Sequence, residues 1–188
     1  KTGEGKSTFL DLLMGLLEPQ KGSIYIDKNK LSKETNYNWQ SKISHVPQKI
    51  FLSDSSYLEN IAFGIDIKKI NHSKVETAAK KSQIHDFIFQ TDKGYNQNVG
   101  ERGIKLSGGQ IQRIGLARAL YKSSEIIIFD EATNSLDNFT EKLVMRELFN
   151  LDKDLTIIIV AHRLNTLQEC DQIFEVKDKK IIMKENKK

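Results

Sequence analysis

At 188 residues the chain is long enough for one domain with a buried core. Its 38% hydrophobic and 29% charged content exclude a disordered polymer, and its net charge of +4, from 29 basic and 25 acidic residues, is too small an excess to argue for nucleic acid. Cys170 stands alone, so an internal disulfide is excluded and a reducing compartment fits. The longest apolar runs, Ile126 to Phe129 and Ile157 to Ala161, fall far short of the ~20 residues that cross a bilayer.

The first eight residues read KTGEGKST. They fit the phosphate-loop pattern G-x-x-x-x-G-K-[ST] without its opening glycine. Gly5, Lys6 and Ser7 fill the last three positions, and Lys1 to Glu4 fill the wildcards. From Gly5 to Leu17, the residues Phe9, Leu10, Leu13, Met14 and Leu17 recur at helical spacing. A helix is predicted there, ended by Pro19 and Gly22. A glycine loop before a helix aims backbone N–H groups at one point, where the helix dipole adds positive potential. Such a site suits phosphate. Lys6 would reach the β- and γ-phosphates, and the Ser7 hydroxyl would hold Mg²⁺. Thr2, Gly3, Gly5, Lys6, Ser7 and Thr8 are the candidate nucleotide contacts.

Ser23 to Asp27 and Ile43 to Val46 alternate like strands. Residues 53–122 are rich in Lys, Ser and Ala, with helical periodicity around Val75 to Phe89, and predict a mostly helical subdomain. Two near-continuous β-branched runs follow, EIIIFD (125–130) and TIIIVA (156–161). They predict parallel strands covered on both faces, with Thr140 to Leu151 as a crossover helix. The expected fold class is α/β, with 1–52 and 123–188 as catalytic core and 53–122 as helical subdomain.

Two more stretches carry chemistry. Asp130 and Glu131 end the first buried run, where α/β ligands bind. Asp130 would bind Mg²⁺, and Glu131 would orient and deprotonate an attacking water. In LSGGQ (106–110), Ser107 is a good N-cap, and Gly108 and Gly109 leave backbone N–H groups uncovered. This predicts a second anion site at a second helix N-terminus.

KTGEGKST, LSGGQ and IIIFDEAT together resemble the nucleotide-binding domain of ATP-binding cassette (ABC) proteins, which have a P-loop NTPase fold. HVPQ places Gln48 at that family's Q-loop. NSLD (134–137) resembles the D-loop, with Asp137 as its acid, and VAHR places His162 at the switch histidine. VGERG (99–103), with Glu101, resembles the X-loop of exporter-type members, and ENIAFG (59–64) also resembles exporters. The resemblance implies ATP and Mg²⁺ as cofactors, with Ser7, Gln48 and Asp130 toward the metal. It implies catalytic roles for Lys6, Gln48, Glu131 and His162. Ser107, Gly108, Gly109 and Gln110 would contact ATP held by the phosphate loop of a second nucleotide-binding domain. Glu101 would lie near the coupling helices of a transmembrane domain, expected N-terminal on the same full-length chain. The site would sit at the cytoplasmic face of a membrane, and no nucleic acid is expected. The opening glycine and an adenine-stacking aromatic would lie before Lys1.

Departures from the pattern are few. Asn134 stands where the D-loop usually has Ser. Lys28 stands where a turn glycine is common, with Asn29 expected to supply the positive φ, and KDKKI (177–181) has Lys in place of a frequent Gly. Glu131 is present, so a hydrolytic site is expected. A soluble relative acting on nucleic acid or ribosomes is the alternative. Chromosome-type members of that group insert a long coiled coil before the signature, yet Ser7 and Ser107 are only 100 residues apart, with no heptad array. A non-hydrolysing regulatory cassette is the third reading. For cargo, VPQKIFLSDSSYLENIAFG and AAKKSQIHDFI resemble exporters and flippases of lipids, glycolipids or lipid-linked sugars.

Overall fold

The computed structural model describes residues 5–133, 135–151, 155–161, 167 and 169–184. In chain order its regular elements are α1 (Lys6–Leu13), β1 (Tyr25–Ile26), β2 (Asn29–Lys30), α2 (Lys33–Ser41), β3 (Ile43–Val46), α3 (Tyr57–Ile61), α4 (His72–Lys81), α5 (His85–Phe89), α6 (Gly108–Lys122), β4 (Ile126–Asp130), α7 (Asn138–Phe149), β5 (Thr156–Val160), β6 (Ile173–Lys177) and β7 (Lys180–Lys184). Short 3-10 turns at Ile67–Lys69, Gly94–Asn96 and Glu101–Gly103 punctuate the helical stretch. The chain separates into two compact units, residues 1–43 with 159–188, and residues 44–158.

In the first unit, α1 stops at Leu13, short of the predicted Leu17. Gly15 takes φ +68°, its N–H donates to Leu12 O at 3.1 Å, and Leu16 N–H donates to Asp11 O at 2.8 Å. That is a Schellman stop. Side chains of α2 then take carbonyls that a helix end leaves open. Trp39 Nε1 donates to Leu13 O at 2.7 Å, Gln40 Nε2 to Met14 O at 3.2 Å, and Asn36 Nδ2 to Gly15 O at 2.8 Å. Apolar spacing carried the expected helix too far because Leu17 continues the pattern while lying exposed.

Both hairpins turn through Asp-Lys. In the first, Ile26 pairs with Asn29 and the turn residues Asp27 and Lys28 have φ 46° and 71°. In the second, Lys177 pairs with Lys180 and Asp178 and Lys179 have φ 49° and 59°. Two-residue hairpins of this kind need positive φ at both central positions, matching the right-handed twist of the strands. Asn29 was expected to supply the positive φ; instead Lys28 does, and Asn29 begins β2.

In residues 44–158 the sheet runs β3-β4-β5 and is parallel, as expected for buried β-branched runs. Ile127, Ile128 and Phe129 of β4 are buried. The helical stretch has its own core of Leu52, Tyr57, Ile61, Val75, Ile84 and Ile114. The helical periodicity around Val75 to Phe89 spans two helices, α4 and α5. Gln83 (φ 60°) separates them, with Ile84 N–H donating to Ala79 O at 3.0 Å. The apolar spacing survives because Val75, Ile84 and Ile88 all enter one core.

The ENIAFG stretch is a structural knot. Glu59 completes a capping box with Ser56 at the start of α3. Asn60 is fully buried, accepts from Ser53 N at 3.0 Å, and donates to Ser53 O at 3.0 Å and Ser56 O at 3.1 Å. Arg118 of α6 donates to Asn60 O and Phe51 O and lies over the Phe63 ring, 4.4 Å from its centroid.

Two substitutions should move stability in opposite directions. Gly15→Ala combines a left-handed φ with a Cβ that would meet the Asn36 side chain, and should cost roughly 2 kcal/mol or more. Lys28→Gly relieves a left-handed lysine and should gain about 1 kcal/mol. Urea unfolding of the two variants checks both signs.

Candidate functional site

In the first unit, Gly5 caps α1 with φ 95°. Lys6, Ser7 and Thr8 occupy the first turn, and no acid stands there. A helix offers no internal acceptor to its first N–H groups, so this end favours an anion. Thr2 and Gly3 lie outside the described residues.

In residues 44–158, the candidate carboxylates stand at the C-terminal ends of neighbouring parallel strands. Asp130 is the last residue of β4, and Glu131 follows it. Gln48 lies just beyond β3. Its Nε2 donates to Glu131 Oε2 at 3.1 Å. Strand adjacency explains the meeting: residues following two paired parallel strands emerge side by side at the edge where α/β ligands bind. Glu131 has φ 53°, a conformation that costs a non-glycine residue roughly 1–2 kcal/mol. Backbone strain of this kind clusters at functional positions. His162, the expected partner of this group, lies outside the described residues.

The signature helix behaves as its sequence suggests. Ser107 caps α6, its Oγ accepting from Gln110 N at 3.2 Å. Gln110 Oε1 reaches back to accept from Ser107 N at 2.8 Å. The box therefore engages Gln110 Oε1 within its own chain. Gly108 and Gly109 are left with N–H groups that the helix cannot satisfy.

This helix end shares an open cleft of ≈ 420 Å³ with the D-loop residues Ser135, Leu136 and Asp137. Asp137 caps α7. Its Oδ1 accepts from Phe139 N at 3.0 Å and Thr140 N at 2.9 Å, and its Oδ2 from Thr140 Oγ1 at 2.7 Å. The Thr140 hydroxyl and these N–H groups hold its carboxyl below the usual carboxylate range. Glu101 is exposed in a 3-10 turn whose next residue, Arg102, has φ 51°.

Sequence reasoning missed four residues that build this region. Arg113 Nη1 donates to Gln83 O at 2.6 Å, pinning the α4–α5 corner. Thr133 Oγ1 donates to Glu141 Oε1 at 2.8 Å, both buried. Gln112 Oε1 accepts from Ser135 N at 3.0 Å. Gln112 carried one legible sign: a glutamine four residues before Leu116 on a face that α6 buries.

The metal donors expected here are a hydroxyl (Ser7), an amide oxygen (Gln48) and a carboxylate (Asp130). All are hard oxygen ligands, the set Mg²⁺ takes. Gln48 presents its amide nitrogen to Glu131, so its amide oxygen is the end a cation would use. Among the described residues no group of three or more His, Cys, Asp and Glu that could hold a metal ion occurs.

Known proteins resemble the chain over nearly its whole length. The profile described as ABC transporter matches residues 1–134. ABC transporter B family member 28 of Arabidopsis thaliana is 41% identical over 96% of the chain. An ATP-dependent lipid A-core flippase of Saccharophagus degradans is 39% identical, also over 96%. The chain spans 25% and 30% of the length of these relatives. Among solved structures, a bacterial Atm1-family ABC exporter with ATP bound superposes with TM-score 0.90 at 36% identity, covering 97% of this chain and 32% of that one.

Asp137→Ala should destabilise the fold at neutral pH by removing the α7 cap. A depressed carboxyl contributes stability above its unfolded pKa and loses it as pH falls through the folded value. The gap between wild type and variant should therefore close on acidification, as read by thermal unfolding from pH 7 to pH 2.

Proposed function

The chain belongs to the ABC transporter family, and from that premise we propose that it is the ATP-hydrolysing cassette of an exporter. The observation that carries the reading is the Gln48–Glu131 contact at the ends of adjacent parallel strands. It couples a carboxylate of the kind that activates water to a neutral amide able to sense the phosphate beside it.

The residues divide the work. Lys6 and the N–H groups at the start of α1 would hold the β- and γ-phosphates. Glu131 would orient the attacking water and accept its proton. The Gln48 donor steadies one carboxylate oxygen of Glu131. Ser7, Gln48 and Asp130 would hold Mg²⁺, which when bound would neutralise charge on the β- and γ-phosphates. His162 would contact the γ-phosphate.

Ser107, Gly108 and Gly109 would close on a nucleotide carried by a second cassette, each chain completing the other's site. The open cleft at this helix end supports that arrangement. ATP would join the two cassettes and hydrolysis would release them, driving alternating access in attached membrane domains at the cytoplasmic face. Among the described residues no helix is long and apolar enough to cross a membrane, so those domains would be supplied elsewhere. Residues 53–122 would form the helical subdomain facing them, with Glu101 near the coupling helices. A lipid, glycolipid or lipid-linked sugar is the proposed cargo class, supported by the likeness to a lipid A-core flippase.

Glu131→Gln in the complete protein should lower kcat by roughly 10²–10⁴-fold, the usual worth of a general base. It should also accumulate an ATP-bound dimer of cassettes, visible by light scattering of the solubilised protein. Undiminished turnover, or an ATP-loaded monomer, would refute the proposal.

A further inference from the structure

We propose that Gln112 is a positioning residue that clasps the D-loop to the signature helix, so that both meet a partner subunit as one rigid surface. The inference rests on the reading that this face completes a nucleotide site in trans.

Gln112 is only 3% exposed. Its Oε1 is the acceptor for the Ser135 backbone N–H, at 3.0 Å. It stands three residues after Gly109, so the two share a face of α6. On that face the D-loop also presses against the signature glycines. A Cβ on Gly109 would lie 3.2 Å from Ser135 O, and one on Gly108 would lie 3.5 Å from Ser135 Cβ. The glycines thus have a second use besides baring N–H groups: they let the D-loop backbone approach.

The rest of the loop is fixed from its other side. Leu136 N–H donates to Thr133 O at 3.0 Å and the Leu136 side chain is buried. Thr133 is held by Glu141 of α7, and Asp137 caps that helix. The turn is therefore gripped by α7 at both ends and by Gln112 of α6 in the middle. Without the Gln112 acceptor, the Ser135 N–H loses its tie to α6, and the D-loop can shift against the signature cap. Loop and cap line one cleft, so slack between them would reach any ligand or partner seated there. A misplacement of about an ångström at a reacting centre is costly in rate.

The test compares Gln112→Met, a near-isostere with no oxygen acceptor, with Gln112→Glu, which keeps one. Amide hydrogen exchange at Ser135 is read in the complete nucleotide-free protein. Gln112→Met should speed it at least tenfold and leave the α6 amides unchanged, while Gln112→Glu should keep protection. ATPase assays should show kcat reduced about tenfold in Gln112→Met, with KM for ATP within twofold. Gln112→Glu should recover most of that loss. Unchanged Ser135 exchange in Gln112→Met overturns the clasp. So does full kcat despite fast exchange, or a parallel loss of α6 protection that marks simple core damage. Ser135 exchange is read within one chain, without ATP. It therefore reports on the clasp whether or not Glu131→Gln chains pair, and a failure of pairing is charged to the trans reading alone.

Discussion

A helix cannot hydrogen-bond its own first N–H groups, and in this chain that deficit stands open at the start of α6. Ser107 and Gln110 satisfy each other in a capping box. Gly108 and Gly109 are left facing a cleft, with no acid in the first turn to balance the dipole. The start of α1 repeats the condition, with Gly5 as cap and no acid in its first turn. On the proposed reading, these two ends would serve one anionic ligand, a triphosphate gripped between one end from each of two chains.

On the proposed reading, hydrolysis needs something the helix ends cannot give, a base for the attacking water. The parallel sheet would supply it in Glu131. Pairing of β3 with β4 brings Gln48 and Glu131 within hydrogen-bond distance although they are far apart in sequence. Glu131 sits there in a left-handed backbone conformation. The fold holds this strain in place through the buried β4 run before it and the Thr133–Glu141 contact after it. The same region feeds the helical stretch. Arg118 of α6 binds the carbonyl of Phe51, three residues beyond Gln48. A shift at the phosphate end would thus reach the exposed aromatics Phe51 and Phe63 through a short chain of fixed contacts.

Much of this was legible in the residues. The strands of the parallel sheet and the Ser107 cap fell where β-branched runs and capping chemistry placed them. Helix ends were less legible. Gly15 stopped α1 because α2 presents Asn36, Trp39 and Gln40 to its open carbonyls, a tertiary fact invisible to local spacing. The break at Gln83 was hidden for a similar reason, since both halves bury their apolar residues in one core. The Asp27-Lys28 turn was misjudged because Asn29 was taken as the carrier of positive φ, whereas strand twist imposes it on the two central turn residues. Motifs flagged Ser107, Glu131 and Asp137. They did not flag Gln112, Arg118 or Glu141, whose partners are backbone groups or side chains of other elements.

The central claim is that each nucleotide is closed by two chains, and mixing two defective chains tests it most directly. In a Glu131→Gln background, one chain carries Lys6→Ala and the other Ser107→Arg. Alone, each pairs only with its own kind and has no intact site. Mixed, a heterodimer has one intact site and one doubly damaged site, and ATP retained through rapid gel filtration should reappear at about one per mixed dimer. Retention by either variant alone, or none by the mixture, would contradict the account.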